Sequence, residues 1–137
     1  MKWIDYTTPH SVREAVDLLN DAGDGARMMA GGTDLIVQLR AGAYDLGLVV
    51  DAKGIPEMNE LTYDPVNGLT IGAAVPCYKV YGNAAVRQAY PGLIDSASLI
   101  GGTQIQGRAS LGGNLCNAAP SGDSIPAMIA LKGVARI

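Results

Sequence analysis

The chain has 137 residues, of which 48% are hydrophobic and 17% are charged, and its net charge is −3. This length suits one ordinary domain, and no stretch approaches the roughly 20 consecutive apolar residues that a membrane-spanning helix requires. The acidic balance and the isolated positions of Lys53, Lys79 and Lys132 argue against nucleic acid as a partner, because no basic cluster is present to displace counterions.

Histidine and cysteine are too few for several kinds of chemistry. His10 is the only histidine, so this chain alone cannot assemble a histidine-based catalytic triad or a histidine-rich metal site. Cys77 and Cys116 are far apart and form no C-x-x-C pair, which argues against a disulfide scaffold or a zinc site and favours a reducing cytoplasm. We expect Cys116 to be a small buried side chain rather than an activated thiol.

The first predicted helix begins at a capping box. The Ser11 hydroxyl can accept from the amide of Glu14, and the Glu14 carboxylate can accept from the amide of Ser11. Gly23 and Gly25 then end the helix. Its apolar residues recur at helical spacing: Val12, Ala15, Val16, Leu18, Leu19 and Ala22.

A glycine turn follows the next predicted strand. Residues 26–30 are a short apolar run, which predicts a buried strand. Gly31-Gly32-Thr33-Asp34 leads from it into a helix that starts at Leu35 and ends near residues 40–42, with Thr33 or Asp34 as N-cap. A strand, a glycine turn and a helix start together can present free amides to an anion. An ordinary turn is the alternative, since neither G-x-G-x-x-G nor a Walker-type loop is present.

The remaining strands divide the chain into two predicted lobes. Residues 46–52 are a continuous β-rich run, which predicts a central parallel strand, so residues 1–55 form an α–β–α–β lobe. After Pro56, residues 59–64 and 68–74 flank an Asn-Gly pair, which predicts a hairpin. Residues 56–137 therefore form a second, mixed lobe.

The second lobe continues with helices and a long loop. Helices are expected over residues 76–81, 84–90 and 93–100, with Gly101 as the cap of the last one. Residues 101–126 are glycine-rich and lack the periodicity of a helix or strand, which indicates a binding loop or, alternatively, a surface linker. Asp123 or Ser124 then caps a helix over residues 127–131, and residues 132–137 suggest the start of a strand in an incomplete domain.

Two glycine loops that each lead to a helix suit an elongated ligand with a doubly charged centre, such as a dinucleotide. Ser110, Asn114, Asn117 and Asp123 can add hydrogen bonds, although such residues often bond only their own backbone. A nucleophilic serine is not indicated, because Arg108 stands where the G-x-S-x-G elbow requires glycine. No catalytic residue and no metal ligand is predicted.

Three motifs together resemble one family. AGGTDL at residues 30–35, TIGAAV at residues 70–75 and IGGTQIQGRASLGGNLCNAAPSGDSIPA at residues 100–127 look like the FAD-binding (medium) subunit of molybdenum hydroxylases, the xanthine dehydrogenase and carbon monoxide dehydrogenase family. Family members normally continue well beyond the length of this chain, so it looks truncated or split.

The resemblance implies an α+β fold, the FAD-binding domain of p-cresol methylhydroxylase/vanillyl-alcohol-oxidase type. It has a small α/β lobe and a larger mixed lobe, here incomplete. By this likeness the FAD-binding residues at the first loop are Met29, Ala30, Gly31, Gly32, Thr33, Asp34 and Leu35. Those at the second loop are Ile100, Gly101, Ser110, Leu111, Gly112, Gly113, Asn114, Asn117 and Asp123.

The resemblance also implies partners. A large subunit would hold the molybdenum-pterin centre, and a small subunit would hold two [2Fe-2S] clusters. FAD in this chain would receive electrons from the clusters and pass them to NAD or another acceptor. The alternative function is a non-redox nucleotide-binding or assembly module without flavin.

Overall fold

The computed structural model describes residues 3–137, so Met1 and Lys2 of the predicted first lobe lie outside the described residues. A three-stranded parallel sheet contains β1 (Asp5–Thr7), β2 (Ala26–Met29) and β3 (Leu48–Asp51), with β3 in the centre. The predicted central parallel strand is confirmed. The predicted α–β–α–β order was wrong at its start, because β1 precedes the first helix. That strand has only three residues, none of them buried, so it carries no apolar run.

Helix α1 (Val12–Ala22) begins and ends where the sequence predicts. The Ser11 hydroxyl accepts from the Glu14 amide at 3.1 Å, and Gly23, at φ 53°, ends the helix. The reciprocal half of the capping box was wrong: the Glu14 carboxylate accepts from the amide of His10 at 2.8 Å, not from that of Ser11. The helix therefore has both its expected cap and an additional contact with the preceding residue.

Helix α2 (Leu35–Arg40) follows the first glycine turn. Asp34 occupies the N-cap position, but neither its side chain nor that of Thr33 makes a capping hydrogen bond. The backbone of Asp34 is already helical, at φ −95° and ψ −49°. The first amides of this helix are therefore left without a side-chain partner.

An antiparallel hairpin joins β4 (Leu61–Asp64) to β5 (Gly68–Ile71), as predicted. The Asp64 carboxylate accepts from the amides of Val66 at 2.9 Å and Asn67 at 2.6 Å, which organises the turn. Gly68 has φ 87°, a value that favours glycine. The Asn-Gly signal therefore marked a real turn.

Six further α-helices follow in the described chain, which also contains short 3-10 helices at Gly23–Gly25, Ala52–Gly54 and Pro56–Asn59. The six α-helices are α3 (Cys77–Gly82), α4 (Ala84–Ala89), α5 (Pro91–Ala97), α6 (Thr103–Gln106), α7 (Leu111–Asn117) and α8 (Ile125–Ala130). Gly101 is not the cap of α5: the C-cap is Ser98, and Gly101, three residues later, adopts φ 52°. Residues 132–137 form no strand and are exposed.

The prediction that residues 101–126 contain no helix was wrong, since α6 and α7 lie within them. Helix α7 begins at Ser110, whose hydroxyl accepts from the Gly113 amide at 3.0 Å. Leu111 is the only buried residue of the helix, so a single apolar side chain faces the core and no periodic pattern arises. Cys116 lies on the outer side of α7 and is exposed, contrary to the expectation that it is buried.

The apolar core consists of several clusters. One lies between α1 and β3 and contains Ala15, Val50 and Ile55, and a second surrounds Leu93 and Leu111. Among residues 3–137, no helix has the length and apolar character needed to cross a bilayer. The division into lobes at residue 55 stays a prediction.

We predict that Ile55→Ala lowers the free energy of unfolding by about 2–5 kcal/mol, because the fully buried side chain would leave a cavity. Urea denaturation followed by circular dichroism measures the change. Val66→Ala is the control, since Val66 is 89% exposed and its truncation should change stability by less than about 0.5 kcal/mol. Equal effects of the two substitutions would contradict this assignment of the core.

Candidate functional site

The two glycine-rich segments that the sequence singles out lie against each other. A Cβ atom added to Gly31 would lie 2.0 Å from the carbonyl oxygen of Arg108 and 3.0 Å from the amide of Ala109, so the two backbones are in direct contact. The Arg108 Nε donates to the carbonyl of Gly31 at 3.3 Å. The first turn and the segment before α7 therefore form one continuous surface.

Helices α2 and α7, which follow these segments, are also connected. The side-chain amide of Gln38 donates to Asn117 Oδ1 at 3.0 Å. A Cβ atom added to Gly113 would lie 3.7 Å from the Cβ of Ala30, which places the first turn of α7 beside the end of β2. These contacts fix the relative position of the two turns.

The backbone amides of residues 31–35 are unsatisfied. Within the described part of the chain none of them donates a hydrogen bond, and the first amide of this region that does so is that of Ile36, to Gly32 at 3.1 Å. Gly32 is buried and has φ 79°, and positive φ next to helical residues turns successive amides toward one side. Consecutive free amides at a helix start are the usual protein site for a phosphate or carboxylate.

The other residues predicted at the first turn support or flank these amides. Met29 is buried in the same apolar cluster that Leu35 packs against, so these two side chains anchor the turn to the sheet. Ala30 and Thr33 are half-buried, whereas Asp34 is exposed. The side chains of this turn thus hold the backbone in place and leave the amides as the available polar groups.

Several residues predicted at the second loop have structural contacts. Ser110 caps α7, Asn114 Oδ1 accepts from the Ser124 hydroxyl at 2.6 Å, and Asn117 accepts from Gln38. The alternative that such side chains bond only their own backbone therefore holds for Ser110, whereas the oxygens of Asn114 and Asn117 bond other segments of the protein. The Nδ2 groups of both asparagines remain as donors, because the contacts of these two side chains involve only Oδ1.

Four more residues of the second loop divide between core and surface. Ile100 and Leu111 are buried in one apolar cluster, whereas Gly101 and Asp123 are exposed. No hydrogen bond among the described residues connects Gly101 or Asp123 with the first turn. Their predicted contact with a cofactor stays a prediction.

The TIGAAV motif supports the second loop. A Cβ atom added to Gly112 would lie 2.4 Å from the Cα of Ala73, and the Cys77 amide donates to the carbonyl of Ala109 at 2.8 Å. Residues 70–77 thus pack directly beneath residues 109–112. The TIGAAV motif therefore contributes to the site by packing against the second loop.

A partly buried ion pair that sequence reasoning missed holds the first turn. Lys53 Nζ lies 2.6 Å from Asp51 Oδ1 and donates to the carbonyl of Ala30 at 3.0 Å. Tyr6 on β1 donates a hydrogen bond to the other oxygen of Asp51, which is only 3% exposed. The lysine that looked isolated in sequence therefore touches the candidate site. Parallel pairing of β2 and β3 could have indicated this, because their carboxyl ends meet at one edge.

The surroundings of Asp51 and Tyr6 change the pKa values of these two side chains. Burial alone would raise the pKa of Asp51, but hydrogen bonds from Lys53 and Tyr6 outweigh it and the pKa is lowered. Burial and the hydrogen bond to Asp51 raise the pKa of Tyr6, and a hydrogen bond with Thr8 and the nearby charge of Arg108 oppose this rise only in part. Asp51 is thus ionised at neutral pH, and its contact with Lys53 holds the ammonium group of Lys53 beside the turn.

The chain resembles known proteins along nearly its whole length. The family described as the FAD binding domain in molybdopterin dehydrogenase matches residues 2–136. The xanthine dehydrogenase FAD-binding subunit of Escherichia coli O157:H7 is 32% identical over 122 residues, which are 88% of this chain and 42% of that protein. The caffeine dehydrogenase subunit beta of Pseudomonas sp. (strain CBB1) is 30% identical over 97% of this chain and 44% of that protein.

Solved structures show the same similarity. Carbon monoxide dehydrogenase from Hydrogenophaga pseudoflava, in a form that lacks the Mo-pyranopterin moiety of the molybdenum cofactor, matches with a TM-score of 0.80 and 28% identity, over 87% of this chain and 41% of that one. Quinoline 2-oxidoreductase from Pseudomonas putida 86 matches with a TM-score of 0.78 and 27% identity, over 86% and 41% of the two chains. The chain thus spans less than half the length of each of these proteins.

We predict that Gly31→Ala destabilises the protein by about 1–3 kcal/mol, because the new methyl group would overlap the backbone of Arg108 and one segment must move. Thermal and urea unfolding measure the loss. Gly25→Ala is the matched control, since nothing lies within 4 Å of a Cβ atom at that position. Equal stabilities of the two variants would show that the turns are not in contact.

We predict that Asp51→Asn lowers the free energy of unfolding by about 1–3 kcal/mol at neutral pH, because Lys53 loses its charged acceptor. Since the folded pKa of Asp51 lies below its ordinary value of 3.8, its contribution is complete above that pH and is lost as pH falls through the folded pKa. Urea titrations between neutral pH and acid should therefore show the variant and the parent converging below about pH 4. A constant difference across that range would contradict the ion pair's role.

Proposed function

The chain belongs to the family of FAD binding domains in molybdopterin dehydrogenases, and from this premise we propose that it is the FAD-binding, electron-transferring part of a molybdenum hydroxylase. Such an enzyme is an oxidoreductase whose substrate is oxidised in another subunit. The relatives with similar sequences are named as FAD-binding subunits and as subunits of dehydrogenases, which supports the assignment. This chain covers only 42% and 44% of the length of those two relatives, so the activity of the whole enzyme is part of the proposal.

The observation that carries the proposal is the row of free amides at residues 31–35, on a turn that lies against the segment before α7. The diphosphate of FAD needs several hydrogen-bond donors, and amides at a helix start supply them together with the positive end of the helix dipole. A side chain at Gly31 would overlap the backbone of Arg108, in the segment before α7. Glycine at position 31 therefore allows the two backbones to lie in direct contact beside the free amides. The residues present therefore fit a diphosphate-bearing cofactor.

The protein's part in the reaction is to bind and orient the cofactor. When FAD is bound, its flavin ring accepts electrons and passes them on. The amides of residues 31–35 hold the diphosphate, and the Nδ2 groups of Asn114 and Asn117 are available to hydroxyl or phosphate oxygens. No side chain of this chain is required as an acid, a base or a nucleophile.

Further chains complete the proposed enzyme. The name medium chain, carried by the related protein of Hydrogenophaga pseudoflava, indicates a larger and a smaller companion. We place the molybdenum-pterin centre in the large subunit and the [2Fe-2S] clusters in the small one, with NAD or another molecule as final acceptor. Both cysteines of this chain are free thiols, which supports a cytoplasmic location.

We predict that the purified protein contains FAD and that Gly32→Ala lowers its affinity for FAD at least tenfold, a change of about 1.4 kcal/mol. Gly32 has φ 79°, and a Cβ atom there would lie 2.9 Å from Met29 Sδ, so the amides beside it must reorient. Flavin absorbance of the purified protein and FAD titration of the stripped protein are the measurements.

Gly42→Ala is the control for this substitution. Gly42 has φ 75° at the other end of α2, with nothing within 4 Å of a Cβ atom, so the backbone strain is the same while the turn is untouched. Similar FAD affinities of both variants would place the cofactor elsewhere. A colourless protein that binds no added FAD would instead favour a non-redox nucleotide-binding or assembly module.

A further inference from the structure

A polar groove of about 300 Å³ lies beside the first glycine turn. Two of its cationic side chains are attached to the turn itself: Lys53 donates to the carbonyl of Ala30, and Arg108 donates to that of Gly31. The groove is lined by Lys53, Asn59, Ala74, Pro76, Tyr78, Lys79, Gly107 and Arg108. It therefore adjoins the proposed FAD site without including its amides.

The positive charge of this groove is only partly neutralised. Asp51 pairs with Lys53, but within residues 3–137 neither Lys79 nor Arg108 forms an ion pair. The groove lining contains no aspartate or glutamate. Three cationic side chains thus surround one cavity in a chain whose net charge is −3. Like charges that face one cavity repel each other, and a bound anion would relieve that repulsion.

The donors available in the groove suit a tetrahedral oxyanion. Arg108 uses its Nε for the carbonyl of Gly31, which leaves the terminal nitrogens of its guanidinium group free to bond two oxygens. The backbone amide of Lys79 donates to the carbonyl of Pro76, but its ammonium group makes no hydrogen bond or ion pair within residues 3–137, so it is free to approach the same anion. Tyr78, half exposed at 52%, provides an aromatic surface at the rim for the organic part of a phosphate ester.

We propose that this groove binds a phosphate group through Lys79 and Arg108, with Lys53 as a fixed positive charge behind them. The phosphate comes either from FAD, as an additional contact for its diphosphate, or from a second phosphate-bearing ligand next to FAD. The groove itself does not depend on the proposed function, since its charges and contacts are present in the protein alone.

The test uses the protein as the cell makes it, with any chains that accompany it, and inorganic phosphate and pyrophosphate as probes in chloride buffer at constant ionic strength. Lys79→Met should weaken binding of pyrophosphate at least fivefold by isothermal titration calorimetry, because it removes a free cation without breaking any contact. Lys132→Met is the matched control, since it removes the same charge from an exposed residue outside the groove and should leave binding unchanged.

Titration of FAD-loaded and FAD-stripped protein separates the two sources of the phosphate. If the phosphate belongs to FAD, pyrophosphate competes with FAD and Lys79→Met lowers the affinity for FAD as well. If it belongs to a second ligand, pyrophosphate binds the loaded protein and FAD affinity is unaffected. Equal pyrophosphate and FAD affinities of the Lys79→Met and Lys132→Met variants overturn the proposal. Lysine-dependent pyrophosphate binding in a protein that contains no FAD as purified and takes up none when FAD is added keeps the groove and rejects the FAD assignment.

Discussion

The site depends on a direct contact between two backbones, that of the first glycine turn and that of the segment before α7. A side chain at the point of contact would force them apart. Gly31 lies against the carbonyl of Arg108 at a distance that excludes even a methyl group. Because the contact is between backbones, it brings the start of α2 and the start of α7 closer than packed side chains would allow. The rest of the arrangement follows: the bond from Arg108 to Gly31, the pairing of Gln38 with Asn117, and the common surface on which the free amides open.

Local signals made much of this fold predictable. The strand and glycine turn at residues 26–34 and the Asn-Gly hairpin are specified by neighbouring residues, and the structure contains both. Helix α7 was missed because its seven residues include two glycines and present only Leu111 to the core. Strand β1 was missed because three partly exposed residues form no apolar pattern, although pairing with β3 makes them a strand.

The candidate site was predictable only where its polar groups are close in sequence. Free amides at residues 31–35 follow from a glycine turn before a helix, and the turn is visible in the sequence. Lys53, Lys79 and Arg108 come from three separate segments, so their meeting at one groove depends on the tertiary fold. The oxygens of Ser110 and Asn114 looked available for a ligand, but the structure uses them to fix α7 and the segment before α8.

The ion pair of Asp51 and Lys53 couples the first glycine turn to strand β1. It joins three strands at one edge of the sheet, since Tyr6 belongs to β1, Asp51 ends β3, and Ala30 follows β2. Any ligand that requires the first turn to be ordered therefore also favours the docked position of the N-terminal strand, by mass action. Loss of ligand must make β1 easier to detach from the sheet, so protection of its backbone amides from hydrogen exchange would report how much of the protein is loaded.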